Sequence, residues 1–136
     1  MSGKIFLDTN VLVYAYSEDD LVKRAQALAI NSQPDRWIST QVLIEFANVF
    51  NRKLKIPWPD VLVVLLEISA GFSILHNSPV TVLKAAQLAH RYSFSWFDSL
   101  IVAAALECGC ETLYSEDLQH SQVIESSLTV VNPFRT

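Results

Sequence analysis

The sequence predicts an α/β fold: a three-layer α/β/α sandwich built on a short parallel sheet of about five strands. Two observations predict it. Short apolar runs at residues 5–7, 37–38, 72–75, 112–114 and 128–131 alternate with longer segments of helical character. These runs also largely lack the apolar–polar alternation of a half-exposed strand, so they suit strands covered on both faces. Right-handed crossovers between parallel strands then place helices on each side of the sheet.

The first strand, 5–7, ends at Asp8, and residues 11–16 continue as a helical turn or two. Asp19 and Asp20 favour the start of a helix reaching about Ile30, because acids are stabilised at the positive end of the helix dipole. Pro34 and Asp35 break the chain before the second strand, after which Ser39 or Thr40 can cap a helix over 41–52. Pro57-Trp58-Pro59 is a further break, with Pro59 suited to the first turn of the next helix. The third strand leads to Ser78-Pro79, which opens a helix to about Arg91. A last helix spans about 96–108, with Ala103, Ala104 and Ala105 allowing close packing and Gly109 ending it. No linker, repeat or low-complexity stretch interrupts this order, so residues 1–136 read as a single domain.

Half of the 136 residues are hydrophobic and only 18% are charged, enough for a full core and too apolar for disorder. The net charge is −4, from 14 acidic and 10 basic residues. A protein that binds nucleic acid through its overall charge is usually basic, so any such affinity here must come from a local patch or a bound metal. Cys108 and Cys110 are too close for a disulfide framework and have no second pair to build a zinc site. They read as buried thiols in a reducing compartment. The chain opens on a strand-like run rather than a signal peptide, and its longest apolar run, 61–66, is too short to span a bilayer. A soluble, cytoplasmic protein is expected.

Four acids sit inside or beside apolar runs: Asp8, Glu45, Asp98 and, after the fourth strand, Asp117 or its neighbour Glu116. A carboxylate in such a place is costly to desolvate unless it finds a partner. Four of them in one small domain suggest a shared divalent cation held by oxygen ligands. Each has a plainer reading. Asp8 can cap the helix that follows it. Glu45 shares a helical stripe with Gln41, Asn48 and Arg52 that could simply face water. Asp98 can serve as a first-turn acid after a Ser95 cap. Asp117 can be a polar loop residue, and composition does not separate it from Glu116. In α/β sheets, sites lie beyond the carboxyl ends of the strands, which is where Asp8 and Asp117 fall.

Together these segments resemble the PIN-domain family, and in particular the VapC-type toxin ribonucleases of toxin–antitoxin pairs. The resemblance covers nearly the whole chain. It rests on Phe6-Leu7-Asp8-Thr9-Asn10, on Glu45 within Gln41-Val42-Leu43-Ile44-Glu45, on Trp96-Phe97-Asp98-Ser99-Leu100-Ile101 and on Tyr114-Ser115-Glu116-Asp117-Leu118. The closing Val131-Asn132-Pro133-Phe134 is also similar to the end of many members. The resemblance implies a magnesium- or manganese-dependent endoribonuclease, a type II toxin with a cognate antitoxin, and a homodimer. It assigns the fourth acid to Asp117. It further implies catalytic roles for Asp8, Glu45, Asp98 and Asp117, with Asp8, Asp98 and Asp117 on the metal and Glu45 completing the cluster or orienting water. Thr9, Asn10 and Ser115 would be supporting donors. Hydrolysis of a phosphodiester needs an activated water and charge neutralisation on the phosphate, both of which metal held by carboxylates supplies.

Arg52, Lys53 and Lys55 form the one basic knot and could hold phosphate backbone, or could equally serve a helix C-terminus. Trp37, Trp58 and Trp96 could stack bases, although core packing suits Trp37 and Trp96 better. His76, His90 and His120 are scattered and read as surface or boundary residues. No Ser–His or Cys–His arrangement points to a covalent mechanism. The helix after Pro59 is apolar on nearly every face, which predicts a dimer contact or a wholly buried helix. Two alternatives stand beside the nuclease. A magnesium-dependent phosphatase would want a second Asp where Asn10 stands. A PIN-like RNA- or protein-binding module without catalysis would show lost acids, and all four are present.

Overall fold

Every residue of β1 (Ile5–Leu7) is buried, which requires cover on both faces of the sheet. The structure, a computed structural model, describes residues 3–135. β1 pairs in parallel with β2 (Arg36–Ser39) on one side and, on the other, with the strand Thr112–Tyr114, which is β4. β3 (Ser73–Leu75) extends the sheet beyond β2. β6 (Leu128–Val131) extends it beyond β4. A two-residue strand, β5 (Val123–Ile124), runs antiparallel along β6 and completes the order β3-β2-β1-β4-β6-β5. Among the described residues the sheet therefore has six strands, one more than the sequence predicts. The extra one depends on a tight turn with left-handed residues at Glu125 (φ 52°) and Ser126 (φ 59°). Such turns favour Gly or Asn, so Glu-Ser carries no turn signal. Contacts from another element hold it instead: the Glu125 carboxylate accepts from Lys84, Arg91 and Tyr92.

Among the described residues six α-helices connect the strands. Asp8 caps α1 (Thr9–Tyr16), Asp20 caps α2 (Leu21–Asn31) and Ser39 caps α3 (Thr40–Asn48), in each case with a side-chain oxygen accepting a backbone amide. The helix expected over 41–52 stops being α-helical at Asn48. It continues as a π-helical turn, Val49–Lys53, closed by Leu54 N–H donating to the Val49 carbonyl at 3.1 Å. α4 (Trp58–Gly71) has proline in its first turn as expected. α5 (Pro79–Tyr92) opens with a reciprocal Ser78–Thr81 capping box. α6 (Trp96–Glu107) is the innermost helix, with Ile101 through Ala105 all buried. It ends before Gly109, whose φ of 73° a side chain would strain.

α4 is not wholly buried. Val61 and Ile68 enter the core, while Leu62, Val63 and Leu66 are each more than half exposed. Both cysteines are free and buried. Among the described residues no helix is long and apolar enough to cross a membrane.

Candidate active site

The chain winds from β1 outward to β2 and β3, then returns to place β4 on the other side of β1. A crevice opens where the winding reverses, at the carboxyl ends of β1 and β4. Leu7 lies opposite Tyr114, so Asp8 and Ser115 leave the sheet side by side. Asp8 N–H donates to the Tyr114 carbonyl at 2.9 Å. The Asp8 carboxylate accepts from Ser115 Oγ at 2.8 Å on one oxygen and from Thr9 N–H at 2.7 Å on the other. Capping and site geometry therefore coexist in this residue.

The other acids arrive from helices and from the loop after β4. Glu45 projects from α3, where Thr9 Oγ1 donates to Oε1 at 2.6 Å and Gln41 Nε2 to Oε2 at 3.2 Å. Gln41 Nε2 also donates to the Phe97 carbonyl at 3.2 Å, which ties α3 to the start of α6. Asp98 stands in the first turn of α6, its N–H donating to the Ser95 hydroxyl at 3.2 Å. Asp117 accepts from Asn10 Nδ2 at 3.0 Å, and Asn10 Oδ1 accepts from Glu116 N–H at 3.2 Å. Glu116 is engaged elsewhere, by the Lys23 ammonium and the Tyr14 hydroxyl.

One pocket of about 510 Å³ is lined by all four acids, together with Thr9 and Asn10. Burial pushes the Asp8 carboxyl up to about 7, against the opposing pull of Ser115 and Thr9, with the Asp98 and Glu45 charges adding to the rise. Asp98 is raised as well, first by burial and then by the charges of Asp117 and Glu45. These acids lack sufficient positive compensation. Among the described residues no three His, Cys, Asp or Glu side chains are drawn close enough to hold an ion as they stand. Asp8, Glu45 and Asp117 are each turned onto their own hydrogen-bond donors, as like charges in a shared pocket favour. Hard oxygen donors under mutual repulsion nevertheless fit a hard divalent cation, which bonds carboxylates and relieves that repulsion.

The basic knot divides. Lys53 lines the pocket, whereas Arg52 and Lys55 do not. The π-helical turn explains this: it is wider than an α turn, so the side chain that follows Glu45's face is Lys53 rather than Arg52. The stripe of Gln41, Glu45 and Asn48 faces the pocket or its neighbours rather than bulk water alone. Core packing holds for Trp37, half-buried beneath Lys4, but Trp96 is 42% exposed. Trp96 is the first residue of α6 and precedes its buried face. His76 and His90 are exposed, and His120 accepts from Asn132 N–H at 3.0 Å. Gln41, Tyr14 and Lys23 were not singled out by the sequence. Only Gln41 carried a signal, its four-residue spacing from Glu45.

The fold is thus a mostly parallel α/β sheet with an acidic pocket at its switch point. The chain belongs to the PIN domain family, whose model matches residues 5–125. Three solved structures share the fold. A chain of a toxin–antitoxin complex from Klebsiella pneumoniae is 22% identical, with a TM-score of 0.75 over 98% of this chain and 100% of that one. FitAcB from Neisseria gonorrhoeae is 21% identical, with a TM-score of 0.71 over 97% and 99%. VapC20 of Mycobacterium tuberculosis, a sarcin–ricin loop cleaving toxin, is 21% identical, with a TM-score of 0.69 over 84% and 90%. No curated protein sequence is similar enough to count as a relative.

Proposed function

We propose that this chain is a metal-dependent endoribonuclease that hydrolyses RNA phosphodiester bonds, and the toxin of a type II toxin–antitoxin pair. The observation that carries this reading is the convergence of Asp8, Glu45, Asp98 and Asp117, from separate segments, on one pocket of a PIN domain. The RNA-cleaving and toxin–antitoxin identities of similar structures support it.

Asp8, Asp98 and Asp117 would hold magnesium or manganese, which when bound neutralises phosphate charge and activates water. The remaining residues hold this arrangement in shape. Ser115 fixes Asp8, Asn10 fixes Asp117, and Thr9 with Gln41 fixes both oxygens of Glu45. Glu45 would complete the cluster or orient the attacking water. Lys53 offers the pocket's rim a cation for the phosphate backbone.

An acidic pocket also suits an antitoxin segment that inserts an Arg or Lys and displaces the cation. The exposed apolar face of α4 is the contact of a homodimer. A toxin acting on cellular RNA would work in the cytoplasm. Incubation of the purified protein with total RNA, with and without magnesium, followed by mapping of the ends, tests the activity. Cleavage should require the metal and fall by several orders of magnitude in Asp8→Asn. Undiminished cleavage in chelator, or by that variant, refutes the mechanism.

A further inference from the structure

Glu116 and Asp117 are adjacent acids on the loop after β4, and both line the pocket. They are held differently. Glu116 Oε2 is paired with the Lys23 ammonium of α2, and its Oε1 accepts from the Tyr14 hydroxyl at 2.9 Å. Lys23 Nζ also donates to the Tyr14 hydroxyl at 3.2 Å. The ammonium lies 4.8 Å from the Tyr14 ring centroid and 5.4 Å from that of Phe134. Those two rings meet edge to face at 4.8 Å. Lys23 is itself anchored by its N–H, which donates to the capping Asp20 carboxylate at 3.0 Å. Groups from α1, α2, the β4 loop and the C-terminal segment thus converge on one cation outside the acid cluster.

Among the described residues no cation pairs with Asp117. Its carboxylate is bonded by Asn10, and the same Asn10 side chain fixes the Glu116 amide. Asn10 therefore sets the loop's backbone and Asp117, but leaves the Glu116 side chain free to choose. The Asp117 charge acts on Asp98, while Glu116 is not among the groups that raise Asp8 or Asp98. A half-exposed ion pair contributes little to stability. The consequence of this one lies in where it holds Glu116.

We infer that Lys23 is a positioning residue that draws Glu116 away from the acid cluster and so selects Asp117 as the carboxylate this loop gives to the metal. The inference rests on the metal site proposed above. Without Lys23, Glu116 loses its ion pair and keeps the Tyr14 hydroxyl as its side-chain partner, a neutral contact that leaves it able to swing toward a cation and substitute for its neighbour.

The test is manganese binding by calorimetry, with melting in chelator to confirm that each variant is folded. In the wild-type background, Asp117→Asn should weaken manganese binding by about tenfold or more, and Glu116→Gln should leave it within about twofold. In Lys23→Met, the penalty of Asp117→Asn should shrink to about threefold or less, because the freed Glu116 takes over. Adding Glu116→Gln to that background should restore the full penalty. Loss of the Lys23 charge alone would shift affinity equally with and without Asp117, so equal penalties in the two backgrounds overturn the inference. If Lys23→Met does not fold, a tenfold loss in Glu116→Gln overturns it, and unchanged binding there with a large Asp117→Asn loss supports it. Manganese that fails to bind the wild-type protein overturns the metal reading itself, and this one with it.

Discussion

The Asp8 carboxylate has a hydroxyl on one oxygen and a backbone amide on the other, yet burial still holds its pKa near 7. Its ordinary value is 3.8, so between those limits the folded protein keeps a proton that the unfolded chain has lost. Stability in chelator should therefore fall as pH rises from about 4 to 7. Glu125 works in the opposite sense and in another window. Its pKa, lowered to about 2 mainly by Arg91 and Lys84, gives stability that is present above 4.5 and lost as pH falls toward 2. We predict that melting temperature in chelator peaks at about pH 4 and that Asp8→Asn flattens the fall above it. A wild-type melting temperature that rises between pH 5 and 8 would contradict the buried, raised carboxyl. Asp98 allows a second test. It is raised by burial and by Asp117 and Glu45, and the cap of α6 is Ser95, which accepts from the Asp98 backbone N–H and keeps that bond when the side chain becomes Asn. Asp98→Asn should melt higher than wild type in chelator, and gain much less from manganese, whose effect grows as ~2.7 kcal/mol at a hundredfold excess over its dissociation constant. A variant no more stable in chelator and equally responsive to manganese would remove Asp98 from the cluster.

At the scale of elements, the π-helical turn and α4 matter most. The turn at Val49–Lys53 brings Lys53 onto the pocket, a placement that helical spacing from Glu45 alone assigns to Arg52. α4 keeps Val61 and Ile68 for its own core and leaves Leu62, Val63 and Leu66 exposed at 57%, 61% and 63%. Apolar area on that scale favours a second apolar surface. We predict a homodimer in solution, broken by Leu62→Glu with Leu66→Glu while the protomer stays folded. Light scattering that gives only the 15.3 kDa monomer at micromolar concentration would refute the contact.

At the scale of the whole molecule, strand order makes the site. With β4 returning beside β1, Ser115 reaches Asp8 and Asp117 reaches Asn10, although more than a hundred residues separate the members of each pair. Helices α3 and α6 lie close enough for Gln41 to join Glu45 to the Phe97 carbonyl. If this assembly is a toxin, its expression without a partner should arrest growth, and expression of Asp8→Asn should not. Equal arrest by both would point to a cause other than catalysis.

The sequence by itself determined much of this protein. Buried runs such as Ile5–Leu7 define parallel strands, because apolar patterning is local and period-dependent. Ser and Asp at helix starts define the caps, because a cap is satisfied within one turn. The four acids were legible as costly residues in apolar settings. Tertiary structure decided what local pattern leaves open. It turned Glu116 onto Lys23, a residue distant in sequence, and left Asp117 bonded to Asn10. It chose Lys53 over Arg52 and Lys55 through a π turn that helical propensity does not specify. It made β5 a strand by locking Glu125 to Lys84, Arg91 and Tyr92. Each of these choices depends on contacts between residues far apart along the chain, which form only once the sheet has set which segments are neighbours.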